Sequence, residues 1–412
     1  MTIDAFPRHA PATFFSAQDD VLLVGGRLLT DVAREVGRTP FYVYDRQVIR
    51  QQVEALRTAF PPEVELHYAI KANPMPAVVN FLAGLVDGLD VASGGELVTA
   101  LATGIAPGDI SFAGPGKTVE ELSFAIESGI VINIESPREL REIAARARAV
   151  GRRPTVAVRV NPDFELKSSG MKMGGGPKQF GVDAEAVPAL LTAMRDLPVE
   201  FVGFHIFSGS QNLRPEAIVE AQQKAVELAI RLAVHAPGPV RILNIGGGLG
   251  IPYFPGEQRL DLAPIGQELP RLVGRTRDAL PDARLVIELG RYLVGEAGLY
   301  VCRVIDRKLS RNHVFLVTDG GLHHHLAASG NFGQVVRKNY PVLIGNHVRG
   351  AEREVASVVG PLCTPLDLLA DRVEMARADE GDLAVVFMSG AYGLSASPLG
   401  FLSHPAPAEI LV

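Results

Sequence analysis

Cysteine is nearly absent, with Cys302 and Cys363 the two among 412 residues. So few exclude a disulfide scaffold and fit a reducing compartment. Positive charge is not in excess either: 40 Lys+Arg stand against 46 Asp+Glu, a net charge of −6. With no local basic patch, a chain of this balance is a poor polyanion binder, and nucleic acid is not expected as a partner. No uncharged apolar run reaches the ~18 residues of a membrane span. The opening MTIDAFPRHAPATFF has an early Asp4 and no apolar core, so it does not read as a secretory signal. These absences predict a soluble, cytoplasmic protein with neither membrane nor nucleic-acid partner. What is present is globular. Hydrophobic residues make up 47% and charged residues 21%, enough for two domains or so with full cores at roughly 100–200 residues each.

From about residue 47 to 290, short β-branched apolar runs alternate with longer amphipathic stretches, the signature of βα units. The runs are VELHYAI (64–70), GLDVA (88–92), DISFAG (109–114), IVINIE (130–135), TVAVRV (155–160), EFVGFHI (200–206), RILNIG (241–246) and RLVIEL (284–289). Between them, segments such as SPRELREIAARARAV and PEAIVEAQQKAVELAIRLAVHA carry apolar residues at three- and four-residue spacing. Eight strands each followed by a helix match a (β/α)8 barrel, placed at 46–297. An open doubly wound sheet has the same periodicity and is not excluded by it. After residue 298 the pattern turns strand-like, in LYVCRVIDRKL, HVFLVTDGG, REVASVVGP and DLAVVFMSG. This predicts a second, β-rich domain (a sandwich or barrel) of residues 298–412 that also takes in residues 1–45, with VLLVGG adding a strand before FYVYD leads into the barrel. The Gly-rich segment 166–181, bearing Lys167, Lys172 and Lys178, interrupts the fifth unit as a functional lid or a mobile segment.

In a barrel the chemistry lies at the C-terminal ends of the strands. Strand one ends at Lys71, and strand eight, its neighbour on closure, at Glu288, Gly290 and Arg291. Lys71 fits a Schiff-base lysine; a lysine snorkelling past the rim is the bland alternative. Strand seven ends in NIGGGLG, where Gly247 and Gly248 let backbone N–H groups approach an anion, and strand six in FHIFSGSQN, where Ser208, Ser210 and Gln211 offer hydroxyls and an amide. A lysine, a carboxylate, an arginine and a Gly-rich cradle on one rim are the parts pyridoxal 5′-phosphate needs. In the β-rich part, Cys363 in GPLC beside Asp367 is either a reactive thiol or a small buried residue. Cys302 is assigned to packing. Tyr392, between small residues in SGAYG, reaches a ligand or is an ordinary turn tyrosine. Three successive histidines on a strand, His323, His324 and His325, would face alternating sides, so a polar site wall is favoured over a metal centre.

In order along the chain, HYAIKAN, DVASGGEL, KQFGV, GSQ, NIGGGLG, ELGR, GPLC and SGAYG resemble the fold-type III pyridoxal phosphate-dependent decarboxylases, the family of diaminopimelate, ornithine and arginine decarboxylases. The resemblance covers nearly the whole chain. It implies Lys71 as the cofactor-linked lysine and Glu288 as the carboxylate on the pyridine nitrogen. Gly247, Gly248, Ser210, Arg291 and Tyr392 are implied as phosphate binders, and Asp90, Arg159, His205, Phe207 and Gly290 as further cofactor-site residues. Cys363 is implied as an acid reaching across a homodimer with shared active sites, and His324 and Tyr392, with Cys363, as substrate-facing. Glu288 and Cys363 argue against the related alanine racemases, which set an arginine on the ring nitrogen. The β-rich domain and Cys363 argue against a non-catalytic cofactor-binding protein.

Three departures bear on the substrate. Phe207 stands where the family's ring-stacking histidine falls, with His205 two residues before it. Ala327 or Ala328 replaces the arginine that grips a distal carboxylate, and Thr364 replaces the acidic residue that follows the cysteine in diamine-forming enzymes. The stretch TDGGLHHHLAASGNFGQVVRKNYPV resembles the subgroup that decarboxylates carrier-protein-linked glutamyl groups and its exosortase-associated relatives. This implies an amino acid with an uncharged or carrier-tethered distal end, and segment 166–181 as a docking surface for an acidic acyl carrier protein. The alternative is free diaminopimelate or another basic amino acid.

Overall fold

The eight apolar runs become strands because each is a short apolar stretch, three to seven residues long in the sheet and buried over most of its positions. They lie at Val64–Ala69, Gly88–Val91, Ile110–Phe112, Val131–Ile134, Thr155–Asn161, Glu200–Ile206, Ile242–Gly247 and Arg284–Leu289. All pair in parallel with their neighbours in chain order, and the eighth returns to the first through Leu289 opposite Tyr68 and Glu288 opposite His67. The sheet is therefore a closed barrel rather than an open doubly wound sheet. The computed structural model describes residues 8–165, 171–172, 174–334 and 337–412. Helices start where side chains satisfy the first amides. Ser93 accepts from the Glu96 amide, Ser136 caps Glu139, and Thr118 with Glu121 forms a reciprocal capping box.

Two compact units divide the chain. The barrel unit is Val53–Gly250 with Leu260–Gly290; the β-rich unit takes in the chain up to Gln52, Ile251–Arg259 and Arg291–Val412. Segment 251–259 groups with the β-rich unit, where the Tyr253 ring packs at a tilt against that of Tyr340, centroids 4.7 Å apart.

The spine of the β-rich unit is the 13-residue strand Gly298–Ser310. Its first half pairs antiparallel with Leu383–Val386 and with Phe41–Tyr44, and its second half with His313–Thr318. Arg353–Val359 and Leu368–Ala376 extend the sheet from there. The N-terminal segment does join this unit, but the strand that enters its larger sheet is not the expected one. FYVY, not VLLV, enters the sheet, and it pairs on its other side in parallel with Ala408–Leu411. Val21–Val24 instead belongs to a small three-stranded sheet, and Leu29–Val36 is a helix. The reason is burial on both faces: Phe41, Tyr42 and Val43 are fully buried, whereas Val21–Val24 alternates buried with half-buried positions and suits an outer sheet. No helix among the described residues is long and apolar enough to cross a membrane.

Candidate active site

Closure of the barrel brings the ends of its first and eighth strands together. After the first strand the chain tightens into a short turn, Ile70–Ala72, held by Asn73 N–H donating to the Ile70 carbonyl and by the Tyr68 hydroxyl donating to the Asn73 carbonyl at 2.9 Å. Gly290, just past the eighth strand, lies so near this turn that a Cβ there would sit 2.9 Å from the Ala72 methyl. Lys71 leaves the turn with its side chain partly open to solvent and donates from Nζ to Glu288 Oε1 at 3.1 Å. The amine thus meets a buried carboxylate while the rest of the lysine side chain stays exposed.

Glu288 is 7% exposed. Its second oxygen, Oε2, lies 3.1 Å from His205 Nε2 on the sixth strand. Burial pushes the carboxyl pKa up, but the Lys71 ammonium, the His205 ring and the Arg159 charge outweigh it and hold Glu288 well below the usual carboxylate range. Arg159, on the fifth strand, is itself buried and donates from Nη1 to Glu135 Oε1 at 2.8 Å, with its guanidinium 5.0 Å from the centre of the Phe180 ring. Glu135 also accepts from the Gly181 amide, so the KQFGV segment is tied to the fourth strand. Asp90 lies deeper, accepting from the Ser111 hydroxyl, with its Oδ1 3.6 Å from His67 Nδ1. Burial alone would lower the His67 pKa, but Asp90 and Glu65 raise it to about 9.

The loops after strands six and seven form a glycine-lined recess. Asn212 N–H donates to the Gly248 carbonyl and Gly250 N–H to the Asn212 carbonyl, each at 2.9 Å. A Cβ on Gly248, whose φ is +74°, would stand 2.2 Å from the Gly209 carbonyl oxygen, and one on Gly247 would stand 2.1 Å from that of Glu288. No larger residue fits either place without moving the backbone. Ser210 lies in this loop, and Phe207 packs against Gly246, where a Cβ would meet its ring at 2.5 Å. Gly209–Ser210 pairs with Met171–Lys172 of the long segment. Lys178 is half-buried; Lys167 and the Lys172 side chain lie outside the described residues.

In the β-rich unit, Arg291 opens a short helix, Arg291–Val294. Its guanidinium donates from Nη1 to the Tyr253 hydroxyl at 2.8 Å and lies 4.7 Å from the centre of the Tyr392 ring. Tyr392 holds a left-handed backbone, φ +53°, flanked by glycines that admit close neighbours: a Cβ on Gly390 would stand 1.8 Å from the Val294 carbonyl oxygen. Cys363 is exposed. Asp367 organises its turn rather than the thiol, accepting from the Leu322 and Leu362 amides at 2.6 and 2.8 Å. Cys302 is buried, which pushes its thiol far above the ordinary value.

The three histidines sit on a turn, not on a strand. All are buried. His324 contacts the Tyr300 hydroxyl through Nδ1 and the Pro405 carbonyl through Nε2, and His325 Nε2 contacts the Ser389 hydroxyl while its Nδ1 accepts from the Ala328 amide. In this arrangement both ring nitrogens of His324 are engaged inside the protein, which leaves neither for a substrate. Among the described residues no group of three or more His, Cys, Asp or Glu is arranged to hold a metal ion.

Residues 46–295 match the model of the pyridoxal-dependent decarboxylase, pyridoxal binding domain. The chain belongs to that decarboxylase family. It is 39% identical to the L-glutamyl-[BtrI acyl-carrier protein] decarboxylase of Niallia circulans, over 90% of this chain and 88% of the relative. It is 34% identical to a diaminopimelate decarboxylase of Aquifex aeolicus, over 97% of this chain and 92% of that one. Among solved structures, diaminopimelate decarboxylase from M. jannaschii in co-complex with L-lysine superposes with a TM-score of 0.87 at 28% identity, covering 97% of this chain and 92% of that chain. This pyridoxal phosphate-dependent amino acid decarboxylase therefore has the family's barrel and β-rich sheet. The barrel residues fit the cofactor: an amine at the rim, a carboxylate that stays ionised while buried, and a recess from which side chains are excluded by carbonyl oxygens about 2 Å away.

Three groups in these networks escaped the sequence reading. Glu135 ends the fourth strand just as Lys71 follows the first, so the strand-end rule reaches it. His67 lies inside a quoted motif, four residues before Lys71. Tyr253 comes directly after the glycine run, and nothing in sequence alone ties it to Arg291.

Proposed function

We propose that this decarboxylase acts on an amino acid whose far end is masked, presented as a thioester on an acyl carrier protein, and that it works as a cytoplasmic homodimer with shared active sites. The observation that carries the reading is a missing cation. Where the resemblance puts the arginine for a distal carboxylate, Ala327 and Ala328 stand buried. The adjacent histidines do not substitute for it. Burial lowers His323 and His325 to about 3 and His324 to about 4, so they are neutral at physiological pH. Alanine and neutral imidazole offer no bidentate charged contact. The similarity to a decarboxylase named for a carrier-linked glutamyl group supports the same reading. Free diaminopimelate is the second reading, favoured by relatives such as that of Aquifex aeolicus.

Pyridoxal phosphate, when bound, supplies the electron sink into which the bond to the departing CO2 empties. Lys71 would attach it through Nζ, with Gly247, Gly248 and Ser210 of the barrel unit as phosphate-binding groups; Arg291 and Tyr392 of the β-rich unit are read as phosphate binders on the family resemblance. Phe207 would lie on its ring, and Asp90, Arg159 and Gly290 would shape its surroundings. Glu288 stays ionised and so holds a proton on the ring nitrogen; His205 fixes the orientation of Glu288 through Oε2. Cys363 Sγ returns a proton to the carbon that has lost CO2, and its exposure in the single chain suits a thiol that serves a partner's site. The test is CO2 release from free diaminopimelate, lysine, ornithine, arginine and glutamate against carrier-protein aminoacyl thioesters, with Lys71→Ala as blank. Release confined to the tethered substrates supports the proposal; efficient release from a free amino acid overturns it.

A further inference from the structure

Arg291 lies against two tyrosines, Tyr253 and Tyr392, and Tyr253 lies against a third, Tyr340. Its guanidinium lies 5.4 Å from the centre of the Tyr253 ring and 4.7 Å from that of Tyr392, and Tyr253 is in turn stacked on Tyr340 at 4.7 Å. Cation–π contacts of this kind hold a guanidinium plane without consuming its N–H groups. One of those groups, Nη1–H, donates to the Tyr253 oxygen. Another, Nε–H, is buried and has no hydrogen-bond partner among the described residues. Leaving a charged donor buried and unpaired is costly, so a site of this form is poised for an acceptor. The Tyr253 hydroxyl is in the same condition. Its oxygen is occupied as an acceptor, and its own proton has no acceptor among the described residues. Tyr253 is 2% exposed, so water does not fill that role freely.

We propose that Tyr253 is a positioning residue for anion binding by Arg291: ring and hydroxyl together fix the guanidinium with Nε–H free, and the hydroxyl proton adds a second donor toward a phosphate monoester. The inference rests on the reading that Arg291 binds the cofactor phosphate. Two features of the segment support it. Tyr253 belongs with Ile251–Arg259 to the β-rich unit, where its ring lies 4.7 Å from that of Tyr340. The same segment is anchored a second time by Arg259, which pairs with Glu296 at 2.8 Å, five residues after Arg291. The arginine and the phenol are therefore held by one framework.

The experiment compares how tightly the protein, after cofactor removal, takes up pyridoxal phosphate and the phosphate-free pyridoxal, read as dissociation constants from absorbance titrations. Tyr253→Phe keeps the ring and removes the hydroxyl; Tyr253→Leu removes both. The expected result is that Tyr253→Phe reduces the preference for pyridoxal phosphate over pyridoxal by about tenfold, the range of a lost hydrogen bond to a charged group, with a larger loss for Tyr253→Leu. A purely structural role would weaken both ligands alike and leave the ratio unchanged, and that outcome overturns the proposal. Arg291→Gln separates the two layers. If it leaves the ratio unchanged, the phosphate assignment of Arg291 falls. If it collapses the ratio while Tyr253→Phe does not, only the tyrosine's role falls. Should Tyr253→Leu not fold by circular dichroism, the Phe variant decides alone.

Discussion

Glu288 keeps its charge in a buried place because Lys71, His205 and Arg159 surround it: the first two touch its oxygens, and Arg159 pairs with the neighbouring carboxylate of Glu135. Glu288→Gln keeps the shape and removes the charge that is proposed to hold a proton on the ring nitrogen. It should fold normally and lose turnover on the order of 100-fold or more, measured as CO2 release at saturating cofactor. Cys363→Ala should retain the cofactor spectrum and lose turnover, or divert the returning proton to another carbon; an unchanged rate and product would remove the thiol from the mechanism. At this scale the meeting of Lys71 with Glu288 is legible in the sequence. Lys71 and Glu288 were readable because closure of a parallel barrel makes its first and last strands neighbours, so their ends had to meet. The histidines were not readable: neutrality at His323–His325 comes from burial on a turn, and a run of three histidines carries no sign of depth.

Elements explain the rest of the geometry. The loops after the sixth and seventh strands approach at Gly248 and Gly209, and the left-handed turn at Gly248 has no space for a side chain. Gly248→Ala should cost about 1–3 kcal/mol of stability through strain and overpacking and weaken cofactor retention more than Gly129→Ala, where the surroundings are open. Thermal denaturation with and without cofactor separates the two effects. The strand pattern of the barrel was read correctly for all eight strands, since each is a short apolar run bounded by turn residues. Val21–Val24 is a strand of the β-rich unit as expected, but in a small sheet of its own; that FYVY enters the larger sheet is not legible in composition, because only the partners offered by Gly298–Val301 and Ala408–Leu411 decide it.

For the molecule as a whole, two sets of histidines give stability opposite slopes with pH. His67 titrates near 9 when folded against 6.5 when free. Its contribution is complete below pH 6.5 and is lost as the pH rises through 9. His323, His324 and His325 titrate near 3 to 4 when folded. Their neutral burial is favourable above pH 6.5 and is lost progressively as the pH falls below it. The melting temperature should therefore peak near pH 6.5, and His67→Gln should flatten the alkaline side alone. If active sites are shared, mixing Lys71→Ala chains with Cys363→Ala chains should recover activity that neither shows by itself, because a mixed dimer contains one site with both groups intact. Analytical ultracentrifugation checks that the mixed species forms.

The pairing of Phe41–Tyr44 has a consequence for the chain as it leaves the ribosome. The barrel's strands find partners in the order in which they are made, each docking on the one before until the eighth meets the first. Phe41–Tyr44, although made before any of them, has to wait. One neighbour is supplied at Gly298–Val301 and the other only at Ala408–Leu411. An apolar strand with unsatisfied edges is thus left waiting while the barrel is made, and deletion of residues 408–411 would leave one of its edges open for good.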